Sequence, residues 1–100
     1  MSVYFIASYD VEDAEAHERY VMAADPLLEK HGGELLVADD EARVLEGKGR
    51  LLNVVVKFNS ETAAMNFYDD PDYRSIKQIR HNATSNGTLM LAKEFVLPGM

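Results

Sequence analysis

The apolar and polar positions change period several times along the chain, and each change marks an element. Residues 3 to 9, Val-Tyr-Phe-Ile-Ala-Ser-Tyr, are β-branched, aromatic or small and are closed by Asp10, which predicts a first strand. From Asp13 the period becomes helical. Ala16, Tyr20, Ala23, Ala24, Leu27 and Leu28 fall on one stripe, and Glu15, Glu18, Arg19 and Glu29 fall off it. Asp13 carries the acceptor that the free amides of a first turn need, and Gly32-Gly33 suits a left-handed C-cap, so a helix is predicted from there to about Lys30. Glu15 and Arg19 are ordered for an i, i+4 ion pair of about 0.3 kcal/mol. Pro26 has no amide to give to the Met22 carbonyl, which predicts a bend or break inside this helix.

The second half repeats the alternation. Residues 34–38 read as a second strand, with residues 42–45 as its continuation or an edge strand beyond the acidic turn Asp39-Asp40-Glu41. Gly47 and Gly49 bracket Lys48 in a tight connection, and residues 51–58 form the most strongly patterned strand of the chain. Ser60 caps a helix bearing Ala63, Ala64, Phe67 and Tyr68. Asp70-Pro71 stops it and starts another, whose inner side would carry Tyr73, Ile76, Ile79, Arg80 and Ala83. Asn86-Gly87 reads as a helix end or turn before a last strand from Thr88 to about Val96.

This order predicts an α+β fold of the ferredoxin-like βαββαβ kind, with a four-stranded antiparallel sheet, as one domain over residues 1–97 and a frayed tail over 98–100. Two helical layers cover only one sheet face. Val3 to Ile6, Leu51-Leu52, Val54 to Val56 and Leu89 to Ala92 nevertheless place apolar side chains on both faces. A second copy of the chain, packed sheet against sheet as a homodimer, is the economical cover; a monomer with a ligand or loop over that face is the alternative.

Composition narrows the partners. The 100 residues are 47% hydrophobic and 27% charged, the balance of an ordinary globular protein, and the net charge of −7 argues against a nucleic-acid or anionic-membrane partner. There is no cysteine, so disulfides, thiolate metal sites and thiol nucleophiles are excluded. The N-terminus lacks the basic start and apolar length of a signal peptide, and no apolar run is long enough to span a bilayer, so a cytoplasmic location is expected.

Several segments together resemble a known family. They are the first strand with Tyr4, the helix with Asp13 and Tyr20 ending at Gly32-Gly33, Val44-Leu45-Glu46-Gly47, Val56-Lys57-Phe58-Asn59-Ser60, and Phe67 to Tyr73 leading to Arg80. In this order they resemble the DUF1330 family over nearly the whole chain. The resemblance implies the dimeric α+β barrel fold, shared with antibiotic-biosynthesis and haem-degrading monooxygenases, muconolactone isomerases and EthD-like proteins. It implies no particular reaction.

Candidate chemistry is sparse. His17, His31 and His81 stand at no metal-ligand spacing, Asp69, Asp70 and Asp72 lack the pattern of a calcium loop, and no phosphate loop, nucleophile elbow or dinucleotide fingerprint occurs, so no metal or cofactor is expected. The candidate catalytic set is Glu46, Arg80 and His81, with Tyr4 and Tyr73 as pocket wall. Each has a structural competitor: Glu46 fits a turn with Gly47, and Arg80 fits an ion pair bridging helix and sheet. His81 lies about 100° round the helix from Arg80, so both face one cleft only along the helix edge. A neutral His81 would suit a general base beside a carbonyl. The expected function is cofactor-free oxygenation or isomerisation of a small apolar or aromatic molecule, or non-catalytic binding of such a ligand.

Overall fold

The computed structural model describes residues 1–99; Met100, part of the tail expected at the C-terminus, lies outside them. The elements run β1 (Val3–Val11), α1 (Ala14–Lys30), β2 (Glu34–Asp39), β3 (Leu52–Phe58), α2 (Glu61–Tyr68), α3 (Pro71–Ala83) and β4 (Thr84–Lys93). The four strands form one antiparallel sheet in the order β2-β3-β1-β4, the ferredoxin-like arrangement that the pattern predicts.

Local chemistry sets the boundaries. The Asp13 side chain accepts from the Ala16 amide at 3.0 Å and Ser60 from the Ala63 amide at 3.1 Å, so α1 and α2 begin at their predicted caps. At the other end of α1, Gly32 takes φ +76° and two reversed bonds close the helix, Gly33 N to Leu28 O at 2.7 Å and Gly32 N to Glu29 O at 3.1 Å. Gly33 is bare for a second reason. A β-carbon there would stand 3.0 Å from the Phe58 ring, the most buried large side chain of the core.

Asp70 joins two helices. It caps α3 by accepting from the Asp72 amide at 2.9 Å, and its other oxygen receives His31 Nε2 at 2.7 Å and Lys30 Nζ at 3.2 Å from the end of α1. These bonds, led by that of His31, hold its carboxyl down at a pKa of about 2.

Four expectations change. Helix α1 runs unbroken through Pro26, because Pro26 and Met22 lie on the exposed side, where water can reach the carbonyl the proline leaves unpaired. Residues 42–45 form no strand. β2 ends where the Asp39 side chain turns back to accept from the Glu41 amide at 2.8 Å, and the loop beyond it is exposed. β4 starts directly after α3 and ends at Lys93, short of Val96. Asn86-Gly87 therefore lies inside a strand. The pairing of β1 with β4 shifts register between Ser8 and Asp10, so that Tyr9 faces a bulge in which Asn86 adopts φ +55°.

Odd-numbered residues of β1 face the helices. Val3, Phe5, Val56, Phe58, Ala64, Phe67 and Tyr73 form the core, with the Phe67 and Tyr73 rings 4.5 Å apart. The opposite face carries one apolar row across all four strands, Val37-Val55-Ile6-Met90, between the more polar rows Glu34-Lys57-Tyr4-Ala92 and Asp39-Asn53-Ser8-Thr88. Val37 is 41%, Ile6 36% and Met90 58% exposed, so none of the described residues covers that row.

Asparagine caps a helix about as well as aspartate, so Asp70→Asn isolates the contribution of charge. The folded carboxyl releases its proton more readily than the unfolded one, from 3.8 down to about 2, so its contribution is present above pH 3.8 and disappears as the pH falls through about 2. Denaturant unfolding across this range should find the wild type more stable than the variant at pH 5 to 7. The difference should shrink to nothing near pH 2.

Candidate functional site

The sheet and helices enclose a cavity of about 240 Å³. It exists because one row of the inner face is short. In the order β2 to β4 that row is Ala38, Val54, Ala7 and Leu89, and Ala24 of α1 also lines the space, whereas the adjacent row Leu35-Val56-Phe5-Leu91 has no alanine. Two alanines on either side of Val54 on the strands and a third on the helix leave a gap that neighbouring side chains do not close. Leu35, Val21 and Asp25 also line it and are exposed, so the cavity opens between α1 and the β2 edge.

Its polar groups gather at one end. Tyr9 of β1 stands with its hydroxyl 2.6 Å from His17 Nε2 of α1, and the Tyr20 and Tyr73 hydroxyls are 2.7 Å apart, joining α1 to α3. The Arg80 guanidinium lies 5.7 Å from the centre of the Tyr20 ring and beside the Tyr73 hydroxyl. Tyr9, His17, Tyr20, Tyr73 and Arg80 all line the cavity.

Burial sets their protonation. It pushes the Tyr9 phenol up to about 12 and the Tyr20 phenol higher still, against the pull of Arg80. Burial, reinforced by the Arg80 cation, holds His17 below its ordinary 6.5, so the imidazole is neutral at pH 7. Tyr9 keeps its proton, and in the imidazole tautomer that leaves Nε2 bare it donates that proton's hydrogen bond to His17. Burial opposes the charge of Arg80, but the surrounding phenols of Tyr20, Tyr73 and Tyr9 outweigh it and raise its pKa.

The residues singled out from sequence are dispersed. Tyr73 and Arg80, seven apart on α3, reach the cavity together. Tyr4 lies on the opposite sheet face, in the row with Lys57 and Ala92. Glu46 sits in the exposed loop between β2 and β3 and lines no cavity, and it forms no ion pair with Arg80. His81 is exposed and faces a separate polar cleft beside β4, whose wall shares Arg80, Tyr68 and Leu89 with the cavity. Tyr9, His17 and Tyr20 carry the polar end instead. The sequence signal for His17 was its place three residues before Tyr20, on the edge of the stripe that continues through Ala24 and Leu28. Among the described residues no three His, Asp or Glu side chains gather as a metal ion would require.

The family profile described as "Domain of unknown function (DUF1330)" matches residues 2–95. The chain belongs to the DUF1330 family. No curated protein matches it significantly. Solved structures with the same fold include a protein of unknown function from Rhodopseudomonas palustris, 18% identical, with a TM-score of 0.83 over 96% of this chain and 84% of that one. A dimeric ferredoxin-like protein of unknown function from Jannaschia sp. CCS1 is 13% identical, with a TM-score of 0.74 over 94% of this chain and 100% of the other. SnoaB, a cofactor-independent oxygenase from Streptomyces nogalater, is 11% identical and superposes with a TM-score of 0.67 over 99% of this chain and 98% of its own. At these identities the likeness is one of fold.

NMR titration of the three histidines should place His17 below the ordinary 6.5. In Arg80→Gln it should move upward without reaching that value, because burial remains. A His17 that titrates normally would mean that its ring is not held against Tyr9.

Proposed function

We propose that this protein is a homodimer in which each chain binds a small apolar or aromatic molecule in the 240 Å³ cavity and removes a proton from it, the first step of a cofactor-free oxygenation or isomerisation. The observation that carries this reading is the meeting of a neutral imidazole, a protonated phenol and a guanidinium at one end of an otherwise apolar space. Tyr9 would accept the substrate proton on its oxygen as its own proton passes to His17 Nε2. Tyr9 ends the step neutral, and the imidazolium formed at His17 balances the substrate anion. Arg80 and the Tyr20–Tyr73 hydroxyl pair supply positive potential for the oxyanion that forms. Reprotonation at another carbon would complete an isomerisation, and capture of the carbanion by dioxygen an oxygenation. The cofactor-independent oxygenase of the same fold supports the second course by analogy.

The uncovered row Val37-Val55-Ile6-Met90 supports the dimer, as does the dimeric relative of the same fold. Facing sheets pack with their strands within about 30° of one another, and a two-fold axis would set this row against its own copy. The absence of cysteine suits the cytoplasm as the place of action.

Two experiments test the reading. A panel of small aromatic ketones and phenols, followed for solvent-deuterium incorporation and oxygen uptake, should yield a substrate that exchanges or oxidises. His17→Gln should slow that reaction by about 10² to 10⁴, and Ala7→Leu, which fills the cavity from its floor, should abolish it while the fold remains. Unchanged rates in both variants would end the proposal. Native mass spectrometry should show a dimer that Met90→Glu converts to monomer; a wild-type monomer would remove the sheet-to-sheet interface.

A further inference from the structure

The chain has 17 aspartates and glutamates and only 10 lysines and arginines, so a partly buried cation has many carboxylates from which to draw a partner. Arg80 has drawn none. Among the described residues the ion pairs join Arg19 to Glu15, Lys30 and His31 to Asp70, and Arg50 to Asp10. Asp25, the one carboxylate that lines the cavity, lies at its exposed mouth and is not paired with Arg80.

The guanidinium has five N–H donors, and its polar neighbours are the phenols of Tyr20, Tyr73 and Tyr9, which cannot use them all. Among the described residues no buried side-chain nitrogen or oxygen lacks a partner, so the donors left over are not sealed in the protein but reach the open space of the cavity or of the adjoining cleft, both of which Arg80 lines. A planar guanidinium at the edge of a cavity matches a carboxylate or a phosphate bidentately, and an apolar space with a single cation favours the singly charged carboxylate of the two. The space beyond it is lined by Phe5, Ala7, Ala24, Val54 and Leu89 and holds no second cation. An apolar cavity of about 150 Å³ takes a benzene ring, and this one, at about 240 Å³, has room for a ring with a short substituent.

We infer that the ligand enters as an anion: a small apolar carboxylate, of monocyclic aromatic or short branched aliphatic type, whose carboxylate pairs with Arg80 while its apolar body occupies the space above Ala7. The inference rests on the cavity being the ligand site, as proposed above, and adds the class of ligand. Arg80 is then the residue that sets specificity, and the phenols of Tyr20 and Tyr73 hold its fork toward the ligand. Proton transfer at Tyr9 is a separate matter and does not enter the binding.

Binding of phenylacetate, its neutral isostere phenylacetamide, and phenol to the intact protein, read by calorimetry and by amide chemical shifts, tests this without any turnover. Phenylacetate should bind about tenfold or more tightly than phenylacetamide. Arg80→Gln should erase the difference by weakening the acid alone, and Arg80→Lys should restore only part of it, because the charge returns without the fork. Phenylacetate shifts should centre on Ala7, Tyr73 and Leu89. Equal binding of acid and amide to the wild type would overturn the anion preference and leave the cavity reading intact. Preference for phenol over phenylacetate would overturn the carboxylate assignment, and failure of all three to bind would overturn the inference together with the cavity as their site. Loss of deuterium exchange with the acid preference retained would strike the proposed reaction alone. Because the acid-to-amide comparison is made on the wild type, a poorly folded variant does not decide the outcome.

Discussion

Because β1 lies between two antiparallel neighbours, its side chains fall in register with rows contributed by the other three strands, and a one-residue slip would exchange the two faces of the sheet. Both faces depend on that register. On the inner side it lines up Phe5 with Val56 and Leu91 to build core, then Ala7 with Val54 and Leu89 to leave a gap, then Tyr9 to give the gap a polar end. On the outer side the same pairing aligns Ile6 with Val55 and Met90 into a continuous apolar row. Cavity and uncovered face are thus two readings of one alignment.

The helices are fixed over this floor by polar contacts at their ends and aromatic contacts between. Asp70 ties the end of α1 to the start of α3, and Tyr20 and Tyr73 tie the two helices again nearer the cavity. Between these points Phe67 packs on Phe58 at 5.8 Å and on Tyr73 at 4.5 Å. The helix layer is therefore held on either side of the gap. Three alanines can stay unfilled there because the helices that would collapse onto them are fastened elsewhere.

Most of the fold was legible because its signals are local. The caps Asp13, Ser60 and Asp70, the Gly32-Gly33 ending and the period of each stripe depend on residues a few positions apart. The bulge at Asn86-Gly87 was not, since that dipeptide suits a turn in isolation and becomes a strand irregularity only when Tyr9 pairs across from it. Of the candidate site, Tyr73 and Arg80 were legible from their shared face of α3. Glu46, His81 and Tyr4 were singled out by residue type, which says nothing of which side of a strand or helix they occupy. Tyr9 is in phase with the core residues Val3 and Phe5 of β1 and reads as one more core side chain, and His17 lies in the second turn of a helix where exposure is the ordinary expectation. Only the crossing of α1 over β1 brings them to 2.6 Å.

The exposed β2 edge gives the cavity an asymmetry of a kind that governs selection among ligands. Its inner end is fixed by Tyr9, Tyr20 and Tyr73, and its sides by the floor strands and α1, but toward Leu35 and Asp25 it runs out into solvent. A chamber closed at one end and open at the other discriminates by girth and by the group presented to its blind end, and is indifferent to length. Under the proposed reading, molecules that differ only in what trails from the mouth would be treated alike.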